Sequence, residues 1–240
     1  MHKDMASLFN PYRKHSAKTQ QSINKKMNHI KSLIYIACCL AAIGLFFTSC
    51  SSDEKITKEP PAKDLVLKAR EFLQEDIVLS THATMNGVNK TLLPAGCPTK
   101  FNFTWPDNNT MKVSLKNFSV GKMPLTVSFR CDVEFIQLNT YEKDTYKGSG
   151  WIKFQGNDGE TFSEENAGNG TSNTVKGSGI TGYFNVDTKQ INFIVDYNMM
   201  SVRSECFLQT IDKTRIDRFE QEFEQYEKDL AKYKEEHGLS

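Results

Sequence analysis

The chain has 240 residues, with 30 Lys and Arg against 29 Asp and Glu, a length that suits one ordinary domain able to bury a real core. Residues 1–49 hold seven of the basic residues and one acid, so the remaining 191 residues carry 23 basic and 28 acidic side chains, a formal charge of −5. A mildly acidic chain with no basic cluster beyond its leader argues against nucleic acid as a partner, because phosphate binding needs Lys and Arg.

In chain order, the first feature is a fifteen-residue apolar run, Leu33 to Phe47, preceded by Lys25, Lys26 and Lys31 and closed by Thr48-Ser49-Cys50. It is short for a spanning helix, which needs roughly 20 apolar residues, and fits the apolar region of a secretory signal. The competing reading is an uncleaved transmembrane helix that ends in a cysteine. Met27 offers a start that shortens the polar leader. Small residues before Cys50 resemble the lipobox of lipoprotein signal peptidase substrates, which implies that the Cys50 thiol takes diacylglycerol and becomes the mature N-terminus, with the membrane as partner. Twelve mostly polar residues, Ser51 to Ala62, then read as a tether. Its Ser51-Ser52-Asp53-Glu54 opening resembles the surface-export signal of lipoproteins in Bacteroides-type bacteria and implies an outer-membrane protein facing the exterior; the alternative is an ordinary acidic linker. The organisation expected is leader and signal over 1–49, lipidated cysteine and tether over 50–62, a barrel domain over 63–211 and a C-terminal helix over 212–240.

Lys63 to Glu75 places Leu65, Val66, Ala69, Phe72 and Leu73 on one helical face. From Asp76 to about Ile211 the period becomes two. Leu125, Val127, Phe129, Cys131, Val133 and Phe135 alternate with polar residues, the pattern of a half-buried strand. Ile191 to Met199 repeats the alternation, and Ile77 to Met85, Lys100 to Trp105, Met111 to Phe118, Tyr146 to Gln155, Gly177 to Val186 and Val202 to Thr210 bring the predicted strands to eight. Asn86-Gly87, Pro106 to Asn109 and Val186 to Lys189 supply turns. Gly156 to Ser172 does not alternate and reads as a mobile loop. Beyond it, Ile216, Phe219, Phe223, Tyr226, Leu230 and Tyr233 form one seam of a helix from about Lys213 to Glu236. Packing of that seam on its own domain is expected, with a coiled-coil dimer as the alternative. Strands joined by tight turns without intervening helices predict a mainly β fold, an antiparallel barrel or sandwich.

Met111 to Leu125, a strand ending in LKNFSVGKMPL and running at once into another strand, resembles the calycin-like lipoprotein families of the same bacterial group. Gly179 to Asp187, followed by the strand from Lys189, is similar to their closing hairpin. Over residues 76 to 211 the resemblance implies an eight-stranded lipocalin-like antiparallel barrel and no catalytic residue; the short N-terminal and long C-terminal helices depart from the minimal barrel.

Chemistry is sparse. After Cys50 the chain has only His82 and His237, neither in a zinc-binding arrangement. A hydrolase triad would need His82, which the alternation places beside Ser80 and Thr84 on a solvent-facing strand side, and no Gly-x-Ser-x-Gly elbow supplies a nucleophile. Asp132 and Glu134 share a strand face within the reach of a glycosidase pair, yet acids on an exposed face are ordinarily just solvated. Asp158, Glu160, Glu164 and Glu165 lack EF-hand spacing. Trp105, and Trp151 with Tyr141, Tyr146 and Phe154, either pack the strands or form a stacking surface for sugars or a lining for an apolar ligand. Of Cys97, Cys131 and Cys206 one pair could form a disulfide in an oxidising compartment, and the sequence does not say which. The expectation is a non-enzymatic, lipid-anchored lipoprotein without cofactor or metal. Its barrel would hold a small apolar ligand or present a surface to a glycan or surface protein, the alternative being a filled barrel that serves as an accessory interaction module.

Overall fold

The computed structural model of the protein describes residues 60–121, 123–165, 172–199 and 201–239. The signal segment, Cys50 and tether residues 51–59 lie outside them. Helix α1 (Lys63–Phe72) comes first, with Leu65, Val66, Ala69, Phe72 and the following Leu73 on its core side. The strands are β1 (Glu75–Met85), β2 (Val88–Asn89), β3 (Cys97–Thr104), β4 (Thr110–Phe118), β5 (Leu125–Ile136), β6 (Trp151–Glu165), β7 (Ser172–Asn185), β8 (Gln190–Asp196) and β9 (Val202–Thr210). Helix α2 (Thr140–Thr145) joins β5 to β6, and a 3-10 segment (Lys213–Arg218) leads into helix α3 (Phe219–Glu236).

Strands β3 to β9 pair antiparallel with their sequence neighbours, and β1 pairs with both β3 and β9, closing eight strands into the expected barrel. β2 merely extends β1 through the Asn86-Gly87 turn, where both residues have positive φ. Thr81 is the point of closure, facing Cys97 on one side and Cys206 on the other.

The alternation along β5 sorts its side chains: Val127, Phe129, Cys131, Val133 and Phe135 are buried, while Arg130, Asp132 and Glu134 are exposed. Six phenylalanines, Phe101, Phe103, Phe129, Phe154, Phe184 and Phe193, are fully buried, each worth about 1.5–3 kcal/mol of burial. Phe193 meets Phe101 edge-on at 5.0 Å and Phe154 at 6.2 Å. Helix α1 closes one end of this filled interior. There Phe72 stacks on Phe184 at 5.9 Å, the Trp105 ring lies parallel to Phe135 at 5.3 Å, and the Trp105 Nε1–H donates to the Leu73 carbonyl at 2.7 Å. Toward the other end the inward positions turn polar. Hydroxyls satisfy one another there: Thr81 with Thr99 at 2.8 Å, Thr161 with Ser178 at 2.8 Å, and Tyr197 with Ser204 at 3.0 Å.

Three expectations are corrected. Gly156 to Glu165 are not loop but the second half of β6, and Ser172 opens β7, while residues 166–171 of the expected loop lie outside the described residues. The period of that half of β6 was hidden because the inward residues Thr161 and Ser163 are polar and because register shifts at Gly156 to Glu160 interrupt the ladder. A Cβ on Gly159 would sit 2.8 Å from the Ser178 carbonyl oxygen and 2.9 Å from that of Arg130, so the bulge admits glycine there. Second, Tyr146 does not open a strand but ends α2, whose Asn139 and Glu142 form a reciprocal capping box. Third, the last helix starts as a 3-10 turn, in which Asp212 accepts from the Thr214 N–H.

Cys97, Cys131 and Cys206 are free and buried. Cys97 and Cys206 flank Thr81 from opposite strands, about 10 Å apart by strand spacing and too far for a disulfide. Burial pushes the Cys97 thiol up to about 12 and that of Cys131 to about 11. Among the described residues no helix is long and apolar enough to cross a membrane.

Gly182 faces the ring edge of Phe154 and the Cβ of Phe193, and a Cβ there would collide with both and lie 2.8 Å from the Asn192 carbonyl oxygen. Gly182→Ala is therefore expected to destabilise the domain by about 1–3 kcal/mol, read as a lower urea midpoint in tryptophan fluorescence. An unchanged midpoint would mean that the interior has room at this level.

Candidate functional site

The structure disperses the residues that a hydrolase would need. His82 lies on the outer side of β1, its ring edge-on to Phe207 at 5.3 Å and its Nε2 3.2 Å from the Pro94 carbonyl oxygen. Asp132 and Glu134 stand on the outer wall of β5, where Lys112 pairs with Asp132 at 3.5 Å. Glu160 accepts from Arg130 Nε at 2.9 Å and Nη2 at 2.5 Å, and this hydrogen bonding holds its carboxyl below the usual range. Asp158 occupies the β6 bulge, while Glu164 and Glu165 lie near the end of β6. Among the described residues no group of three or more His, Cys, Asp or Glu is placed to hold a metal ion.

The aromatic residues separate into three places. Phe154 is inside the barrel. Tyr141 is 85% exposed on α2. Tyr146 and Trp151 pack together at 4.8 Å, and Tyr146 also stacks on Tyr183 at 4.0 Å, under α2 and against the outer wall of β6 and β7. Glu142 of α2 ties this cluster down, accepting from Lys153 Nζ at 2.6 Å and the Tyr183 hydroxyl at 2.7 Å. Burial raises the Glu142 pKa, but the Lys153 ammonium, the Asn139 N–H and the Tyr183 hydroxyl outweigh it and hold the carboxyl below its ordinary value. Asn192 donates to the Tyr146 hydroxyl at 2.7 Å, while its buried Oδ1 has no protein partner.

Among several outer clefts large enough for a ligand, two reach about 610 Å³ or more. One, of about 620 Å³, lies over the β6 bulge and is lined by polar residues of β4, β5 and β6, including Lys112, Arg130, Asp132 and Asp158. The other, of about 610 Å³, opens at the barrel rim where α1, the start of β1, the end of β3 and Ile216 meet. Its wall carries Arg70, Gln74, Glu75, Asp76, Asn102 and Trp105. Asn102 Nδ2 donates to Asp76 Oδ1 at 2.8 Å, Gln74 Nε2 to the Arg70 carbonyl at 2.6 Å, and Arg70 Nη1 to Asn108. Of the side chains named in the sequence as candidates for binding or chemistry, Trp105 alone lies in this cleft. Its polar neighbours come from two stretches, residues 70–76 and 102–104, and share no local motif. The Asn139-x-x-Glu142 spacing was a readable signal for α2; nothing in the sequence marked the rim.

Fold and surface define a closed antiparallel β-barrel domain, filled by its own side chains through the α1-capped half and flanked by helices. Residues 50–238 match the model of a domain of unknown function (DUF4903), and the chain belongs to that family. No curated protein and no solved structure matches the chain.

The Glu142 contacts carry a stability prediction. Because its folded pKa is depressed, its contribution is present above the unfolded value, ordinarily about 4.3, and is lost as pH falls through the lower folded value. Glu142→Gln is expected to cost about 1–3 kcal/mol at neutral pH. The gap from the parent protein should close on acidification, measured as urea midpoints across the acid range; a gap constant with pH would contradict the ionised pairing.

Proposed function

We propose that the protein is a non-enzymatic lipoprotein, anchored through Cys50 in the outer membrane and facing the exterior, whose barrel is a filled scaffold that binds through its outer wall and rim. The observation that carries this reading is the interior. Six fully buried phenylalanines and the close approach of Gly182 to Phe154 and Phe193 occupy the space an apolar ligand would take in the capped half. This favours a surface-presenting module over a carrier of small apolar molecules. Three observations support the anchor: the apolar run before Thr48-Ser49-Cys50, the tether after it, and a family match that opens at residue 50. The Asp53 and Glu54 pair supports the exterior address. Dispersal of His82, Asp132 and Glu134 over the outer wall supports a binding role rather than hydrolysis.

Cells expressing the protein and fed labelled palmitate should incorporate the label into it, and Cys50→Ala should abolish both incorporation and sedimentation with membranes. Label that persists in Cys50→Ala would overturn the anchor. Organic extraction of the purified protein should release no stoichiometric apolar molecule other than the anchor's acyl chains. Recovery of one would return the function to the barrel interior.

A further inference from the structure

We propose that the rim cleft between α1, β1 and β3 is a saccharide-binding site that takes a neutral sugar unit against Trp105. The proposal deepens the outer-surface reading above and is independent of the anchor.

The cleft contains an aromatic group that is already fixed. Trp105 is stacked on Phe135 at 5.3 Å with 3° between the planes, and its Nε1–H is held by the Leu73 carbonyl at 2.7 Å. Little side-chain freedom remains to be lost when a ligand packs on such a group. Aromatic surface suits the apolar C–H face of a pyranose ring, which combines an apolar body with a polar edge.

Around Trp105 the polar groups are mixed in the way hydroxyls require. A sugar hydroxyl donates and accepts at once, so a polyol site needs both kinds of partner. Asp76 and Glu75 offer carboxylate oxygens, and the Asn102 amide oxygen remains to accept while its nitrogen is committed to Asp76 at 2.8 Å. Arg70 keeps guanidinium donors beyond the one given to Asn108. The bond from Asn102 to Asp76 joins β3 to β1, so these acceptors belong to a paired sheet rather than to a free loop.

Charge narrows the ligand class. One guanidinium faces two carboxylates in the lining, which disfavours an anionic sugar or a phosphate. The volume of about 610 Å³ falls within the usual range of small-molecule sites, about 300–1,000 Å³. The cleft over the β6 bulge offers no such floor: no aromatic residue lines it, and the nearby Phe162 ring is covered by Arg130 at 4.8 Å.

The test is isothermal titration of the full-length protein, kept in a zwitterionic detergent that carries no sugar, with maltohexaose, cellohexaose, xylohexaose, mannohexaose and chitohexaose. At least one should bind in the micromolar to millimolar range. Asn102→Ala, on the outer wall, and Asp76→Asn should each weaken it tenfold or more without shifting the urea midpoint by the amount that Trp105→Ala does. Trp151→Phe should leave binding intact. No heat from any of the five at millimolar concentration would overturn the proposal. So would binding that Asn102→Ala, Asp76→Asn and Trp105→Ala all leave unchanged, because the sugar would then sit elsewhere. Neither negative result bears on the extraction experiment that tests the filled barrel.

Discussion

Every other feature of the domain depends on β1 being shared between two neighbours. Up to Thr81 its partner is β3, and from Thr81 onward it is β9. Without that change of partner the sheet would end in two open edges, each a row of unpaired backbone groups and a template for aggregation. Closure at eight strands also fixes the width of the interior, which at that number is just filled by side chains. Phe101, Phe154 and Phe193 converge there, and Gly182 is the small residue that makes space for two of them.

The interior is not uniform. Near α1 it is aromatic and aliphatic, and the helix completes it by adding Ala69 and Leu73, both with no exposed surface. Toward the other end Thr81, Thr99, Thr161, Ser163, Ser178 and Ser204 are buried. A buried hydroxyl without a partner would cost about 1–3 kcal/mol, and pairing between strands removes that cost. Ser178 illustrates it by meeting Thr161 and donating to the Tyr197 carbonyl at 3.0 Å. Such cross-strand pairs also set register, since a slip of one residue would point each hydroxyl out of the barrel. The two halves thus reach the same end by different means, one through shape and the other through directional bonds.

That division explains what could be read in advance. β5 and β8 were legible because apolar residues fill their inward positions, and α1 and α3 because their apolar spacing is helical. The second half of β6 was not, since Thr161 and Ser163 look like loop residues unless one knows that β7 pairs beside them and brings the Ser178 hydroxyl to Thr161. Phe154 was grouped with Trp151 by sequence nearness, although a separation of three residues sends them to opposite sides of a strand. The rim cleft was illegible for a topological reason. Asp76 and Asn102 meet only through the register of β1 on β3, and Ile216 joins them only when the chain returns to its starting end. Arg130 and Glu160 likewise meet only through the register of β5 on β6.

The C-terminal segment returns to the same seam that closure creates. The 3-10 turn lies against β1, with Arg215 held by Glu222 at 2.7 Å and reaching the Ser80 hydroxyl at 3.4 Å. Helix α3 then crosses β3, where Lys100 sits 4.8 Å over the Phe219 ring and Tyr226 is buried beside the Cys97 thiol, and it also meets the β4–β5 turn, where Gly121 N–H donates to Glu227 at 2.9 Å. The apolar seam is thus laid on the barrel's own wall, as its spacing led one to expect, rather than kept for a partner helix. Val78, which points outward from β1, is 1% exposed despite its position on that wall. The cover lies beside Thr81, where the ladder changes partner and β1 to β9 pairing runs only from Thr81 to Met85. A strap of this kind packs on β1 and β3 beside the point where the ladder changes partner, and so adds its burial to the seam that closes the barrel.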